Sequence, residues 1–235
     1  MLAMNRDEQN SRPRAAGPRR QWTGSHSALY PSEGGGGTWI GINDAGLTLA
    51  LINWYAKPQR DRAQCVSRGI VVPHLLAAED FAGIGVLLSD LPMALINLFR
   101  LVAISLTDRA VREWRWDGKI LECRRHGWKR RHWFSSGYDE ALVNRKRAGV
   151  TRTAAKSAQT PAWLRQLHRS HQPERGALSV CMHRPDARTV SYTEIVTFGS
   201  KAQMRYAAGS PCTKKPGTPR LLSLASEAAA RPQPR

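Results

Sequence analysis

The spacing of apolar and polar positions divides the chain into short segments of two periods. Short apolar runs predict strands over residues 38–42 and 47–53, joined by the turn residues Asn43-Asp44-Ala45-Gly46 as an antiparallel hairpin. The second of these, Leu47-Thr48-Leu49-Ala50-Leu51-Ile52, is almost wholly apolar, as a strand covered on both faces would be. It ends at Asn53, a polar amide that is either a site residue or a strand cap. Further strands are predicted at 100–105, at 111–116 and 119–123 around Asp117-Gly118, at 178–182 and 189–198 around Arg184-Pro185-Asp186-Ala187, and at 203–207. Helical spacing and capping signals mark 67–78 (with Pro73 kinking it), 78–88, 138–150 and 162–168, the last behind Thr160-Pro161. Residues 12–37 are rich in Pro and Gly and are expected as loop. Residues 151–159 are expected as a mobile linker and 213–235 as a disordered basic, Ala- and Pro-rich tail beyond a domain of residues 1–212. Hairpins, helices, a meander, helices and a hairpin in that order give an α+β class with mainly antiparallel sheet.

Composition alters this picture little. The 235 residues carry 36 Lys and Arg against 18 Asp and Glu, a net charge of +18. The charge is spread along the whole chain, so it reads as compositional bias. One segment, 124–134, interleaves Arg and Lys with Trp128, Trp133 and Phe134, the strongest nucleic-acid signal present. No recognised nucleic-acid motif accompanies it, and a loop whose aromatic rings insert into the core while its cations stay wet is the expectation. Nucleic acid is therefore not an expected partner. Cys65, Cys123, Cys181 and Cys212 lie far apart with no Cys-x-x-Cys pair, so reduced thiols in a cytoplasmic protein are expected. Cys123, His126 and His132 lie close together, but their spacing fits no standard site and no metal is expected. The apolar run 81–104 is broken by Asp90, Pro92, Asn97 and Arg100, so no membrane span is expected. The four glycines 34–37 precede no Gly-Lys-Ser/Thr and are not a phosphate loop. They mark a tight backbone approach or a flexible lead into the next strand.

The densest polar cluster is Met4-Asn5-Arg6-Asp7-Glu8, at the end of an apolar Leu2-Ala3-Met4. Strand alternation sends Asn5 and Asp7 to one side and Arg6 to the other. Alone, the cluster is either a solvated run or a site. Followed by Tyr30-Pro31, Gly35-Gly36-Gly37-Thr38-Trp39-Ile40-Gly41, Asn43, Gly46-Leu47 and Leu51-Ile52-Asn53, it resembles the NRDE family, also called the Transport and Golgi Organization protein 2 family. Trp116-Asp117-Gly118, His132-Trp133-Phe134-Ser135-Ser136 and Ser179-Val180-Cys181-Met182-His183 with Thr189-Val190-Ser191 extend the resemblance over residues 1–212.

The resemblance implies a four-layer αββα sandwich of antiparallel sheets, similar to N-terminal-nucleophile hydrolases. It also implies pocket and oxyanion roles for Asn5, Arg6, Asp7 and Asn53. In that mechanism a cysteine with a free α-amine attacks an amide carbonyl. Here Leu2 occupies the second position, and the first strand of the sandwich, with its Met-Cys, is expected to be missing. The chain as given is therefore not expected to catalyse, and amidase-type chemistry is reserved for a form with an upstream Met-Cys. The other expectation is a non-catalytic binding and trafficking protein for haem or an acyl-CoA or lipid-related ligand. No cofactor is required in either case. The pocket would take a small-molecule amide or an anionic ligand, and His74, His126, His132 and His183 are candidate haem ligands.

Overall fold

The computed structural model describes residues 1–55, 57–154 and 160–225. Two antiparallel sheets form it. The smaller has four strands: β1 (Leu2–Gln9), β9 (Ala187–Phe198), β10 (Lys201–Ala207) and β11 (Arg220–Ser223), in that spatial order. The larger has seven strands in sequential order: β2 (Ala16–Thr23), β3 (His26–Ser32), β4 (Ile40–Asn43), β5 (Leu47–Asn53), β6 (Phe99–Ser105), β7 (Ala110–Trp116) and β8 (Leu121–His126).

Strand alternation divides the apolar residues between two cores. Leu29, Ile40, Ile42 and Ala50 face inward and meet Ile195, Ala202, Met204 and Leu222 of the smaller sheet. Their neighbours Ala28, Tyr30, Leu49, Leu51, Leu101 and Trp114 face outward, where α1 (Val71–Leu75) and α2 (Phe81–Ser89) cover them through Val72, Leu75, Phe81, Ile84 and Leu88. On the far side, α3 (Glu140–Ala154) and α4 (Pro161–Arg169) lie against the smaller sheet. His168 packs on Tyr192, Arg165 pairs with Glu194, and Arg147 approaches Asp7. The layers therefore run helix, sheet, sheet, helix. No described helix is long and apolar enough to cross a membrane.

Several expectations are corrected. Residues 12–37 are not loop: β2 and β3 form a hairpin turning at Gly24, whose φ is +62°. The Pro and Gly content misleads because β2 is an edge strand, where a missing ladder donor is tolerated, and Pro18 sits in the register shift between Ala16 and Arg19. The predicted strand 178–182 is an irregular segment, tied instead by Cys181 N–H to Ser170 O and by Thr189 N–H to Met182 O. The helix expected over 67–78 is a short 3-10 turn, Arg68–Ile70, running into the five-residue α1. Residues 213–225, expected within a disordered tail, include β11, because Leu222 reaches the inter-sheet core. The tail beyond 225 lies outside the described residues. So does most of the expected 151–159 linker, of which 151–154 extend α3.

Candidate functional site

The two sheets differ in width, and the difference creates the principal cavity. Strands β10 and β11 cover β2 and β3, while the inner faces of β5, β6 and β7 extend past them. There Ile52, Val102, Ile104 and Val111 line a cavity of about 1090 Å³ instead of meeting a facing strand. On the smaller sheet's side the wall is β1, which pairs only with β9 among the described strands. The segment 128–137 folds across as another wall, and Arg147, Trp163, Leu167, His168, Val180 and Met182 complete it. The basic–aromatic stretch thus packs as a cavity wall, with Trp133 edge-on to His126, His132 stacked on Phe134 and Arg130 over Trp163.

Asn5, Arg6, Asp7 and Asn53 all line this cavity, and each has defined partners. The Asn5 Nδ2 donates to His168 O at 3.0 Å and Val180 O at 2.9 Å. Both its N–H groups are spent, so as folded it has none left for an oxyanion, and its buried Oδ1 is unpartnered. Arg6 points to the other side, as alternation requires, where it stacks 4.4 Å over Trp39 and pairs with Glu8 and Glu33. The register shift between Arg6 and Asp7 lets the Asp7 carboxylate accept from Thr189 Oγ1 at 2.6 Å and pair with Arg147 at 3.5 Å. Asn53 ends β5 and donates to Tyr55 Oη at 3.0 Å, with its backbone carbonyl held by Ser135.

Polar atoms without partners collect in the same region. Besides Asn5 Oδ1 they are Trp39 Nε1, His132 Nε2, Arg147 Nε and His168 Nδ1, all buried and all on cavity-lining residues. Leaving such an atom unpaired costs on the order of 1–3 kcal/mol. Burial, with His132 and Arg147 nearby, holds the His168 imidazole down at about 3, so it is neutral at pH 7. Burial and Arg130 lower His132 as well. Neutral imidazoles accept or donate one hydrogen bond each at these nitrogens. Eight cationic side chains line the cavity (Arg6, Arg12, Arg68, Lys129, Arg130, Arg131, Arg147, Arg184) against three acids, Asp7, Glu8 and Glu33. The site is an apolar slot with a cationic rim.

The histidines considered as haem ligands separate. His74 bonds to Leu87 O and His126 to Glu113, His132 lines the cavity, and His183 lies 3.5 Å from Cys212 Sγ. Cys123 is exposed on β8 and does not converge with His126 and His132 among the described residues. Burial pushes the Cys181 thiol well above the usual thiol range.

Against known proteins, a family model described as "Transport and Golgi organisation 2" matches residues 1–114. No curated protein sequence matches the chain. Among solved structures, the chain is similar to penicillin V acylase from Agrobacterium tumefaciens, at 13% identity and a TM-score of 0.48, over 86% of this chain and 77% of that one. It is also similar to a variant of conjugated bile acid hydrolase from Clostridium perfringens, at 9% identity and a TM-score of 0.49, over 94% of this chain and 83% of that one.

Proposed function

We infer the function of this chain from its place, through residues 1–114, in the Transport and Golgi organisation 2 family and from the chemistry of its inter-sheet cavity: it binds a large amphipathic anion there without catalysing a reaction on it. The class includes a porphyrin with its propionates and a long-chain acyl-CoA with its phosphates. The carrying observation is the pairing of an apolar floor, Ile52, Val102, Ile104 and Val111, with unpartnered polar atoms on His132, Arg147 and His168. An apolar body would cover the floor, and anionic groups would take the donors and the cationic rim. The volume, about 1090 Å³, lies just above the usual span of small-molecule sites, about 300–1,000 Å³.

Catalysis is a poorer fit to these residues. Amide attack in the manner of N-terminal-nucleophile hydrolases needs a thiol and a free α-amine on one residue. Among the described residues the cavity-lining cysteine is Cys65, which is internal and offers no free α-amine beside its thiol. The amides of Asn5 are already committed to two carbonyls. Amidase-type chemistry belongs only to a form that carries such a cysteine.

Titrating the purified chain with hemin, followed by its Soret band, and with palmitoyl-CoA, followed by tryptophan quenching, should give saturable one-to-one binding of at least one. Replacing Lys129, Arg130 and Arg131 together by Gln should weaken that binding about tenfold or more, because each desolvated charge contact contributes on the order of 1 kcal/mol. No saturable binding of either, or a thiol-dependent acyl-enzyme burst with a panel of N-acyl amides, would overturn the reading.

A further inference from the structure

Behind the cavity wall, and not among its lining residues, four side chains converge from three parts of the chain. His171 lies two residues beyond α4, Cys181 and His183 flank Met182 in the irregular segment before β9, and Cys212 sits in the turn after β10. One ligand atom from each lies within 4.8 Å of the others. We propose that His171, Cys181, His183 and Cys212 form a structural zinc site that fastens the turn after β10 to the segment leading into β9.

The distances match the coordination. Zn–S bonds of about 2.3 Å and Zn–N bonds of about 2.0–2.1 Å in a tetrahedron separate sulfur from nitrogen by about 3.5 Å. Here His183 Nε2 lies 3.7 Å from Cys181 Sγ and 3.5 Å from Cys212 Sγ. The rings of His171 and His183 meet edge-to-face at 5.1 Å and 71°, and each offers a ring nitrogen within 4.8 Å of the other ligand atoms. His171 Nε2 is buried and has no hydrogen-bond partner, a defect that a bond to a cation removes.

The backbone around the ligands is already fixed. Cys181 N–H donates to Ser170 O and its carbonyl accepts from Ser179 Oγ at 2.6 Å. His183 N–H donates to Gly176 O. Ser210 Oγ holds the Cys212 turn to Thr189 O at 2.6 Å, and the turn closes through Thr213 and Lys214 N–H to Ser210 O. Holding ligands by such contacts lowers the ordering cost of binding. Two thiolates and two neutral imidazoles suit zinc, and four protein ligands close the coordination sphere, so the role is structural. Binding displaces two thiol protons to solvent, and the two thiolate charges neutralise the divalent ion.

The full chain, expressed with zinc in the medium, should carry one zinc per molecule by elemental analysis. Cys181→Ser and Cys212→Ser should each lose most of it, while Cys65→Ser and Cys123→Ser keep it. Should the first two variants not fold, cobalt loading of the unaltered chain decides the matter. Thiolate-to-cobalt charge transfer with intense tetrahedral bands supports the site. Weak octahedral bands without charge transfer, zinc well below one per chain, or a Cys181–Cys212 disulfide in protein purified from a reducing cytosol would each reject it.

Discussion

Glu113 is the most demanding single residue. Its side chain is fully buried on β7, yet Arg100 at 2.7 Å, Arg115 at 3.0 Å and His126 at 2.9 Å all bond to it. Burial alone would raise its carboxyl; the three hydrogen bonds outweigh that and hold it at about 2, against an ordinary 4.5. A depressed carboxyl adds stability above its unfolded value and loses it as the pH falls through the folded one. On the order of 3 kcal/mol should therefore disappear between about pH 4.5 and pH 2. Urea midpoints across that range should fall further for the native chain than for Glu113→Gln. Arg6 is similar in kind. Arg6→Leu leaves Glu8 and Glu33 to the more exposed Arg12 alone and uncovers Trp39, at a cost of about 1–3 kcal/mol readable by denaturant titration. Both residues carry charge that the sequence shows plainly; what their charges meet is set by how strands pair and fold back, across 13 residues for Glu113 and 27 for Arg6.

At the scale of elements, the joint between β4, β5 and α1 explains several of the chain's small and polar positions. Asn43 is fully buried, donating to Leu76 O at 2.9 Å and Ala78 O at 2.7 Å while accepting from Leu47 N–H at 3.0 Å. It closes the hairpin and ties the end of α1 to it. Asn43→Ala leaves those groups unpaired and should cost about 2–3 kcal/mol in a urea titration. Gly41 lies under α1, where a Cβ would stand 2.6 Å from Leu76 Cδ1. Gly41→Ala should therefore lower stability by about 1–3 kcal/mol, although its backbone conformation would accept alanine. The glycine run resolves in the same way: Gly37 lets the chain approach the Gly69 backbone, which accepts from Thr38 N–H at 3.0 Å. The hairpin over 38–53 was legible because its apolar runs and turn chemistry are local. The β2–β3 hairpin was not, since Arg19, Arg20 and Pro18 suit an edge strand as well as a loop, and only neighbouring strands distinguish the two.

At the scale of the whole molecule, the governing fact is a seven-stranded sheet facing a four-stranded one. The surplus inner surface of β5 to β7 becomes a cavity floor. A ligand that fills it should raise the melting temperature with concentration, because binding to the folded state alone adds RT ln(1 + [L]/Kd). Ile104→Trp, placed on the floor, should abolish that shift while leaving the unliganded chain folded, a pair of outcomes that differential scanning fluorimetry separates.

The sequence by itself determined the periods of most strands and helices, the antiparallel class, and the motifs from Asn5 to Asn53 whose resemblance implies the layered sandwich. Those are properties of neighbours in the chain, or of motifs in a fixed order. The tertiary structure alone decided that Asn5 spends its amides on α4 and its following loop, that residues 128–134 wall a cavity, and that His171, Cys181, His183 and Cys212 meet. Each depends on contacts between residues tens of positions or more apart, where spacing along the chain carries no record of distance in space.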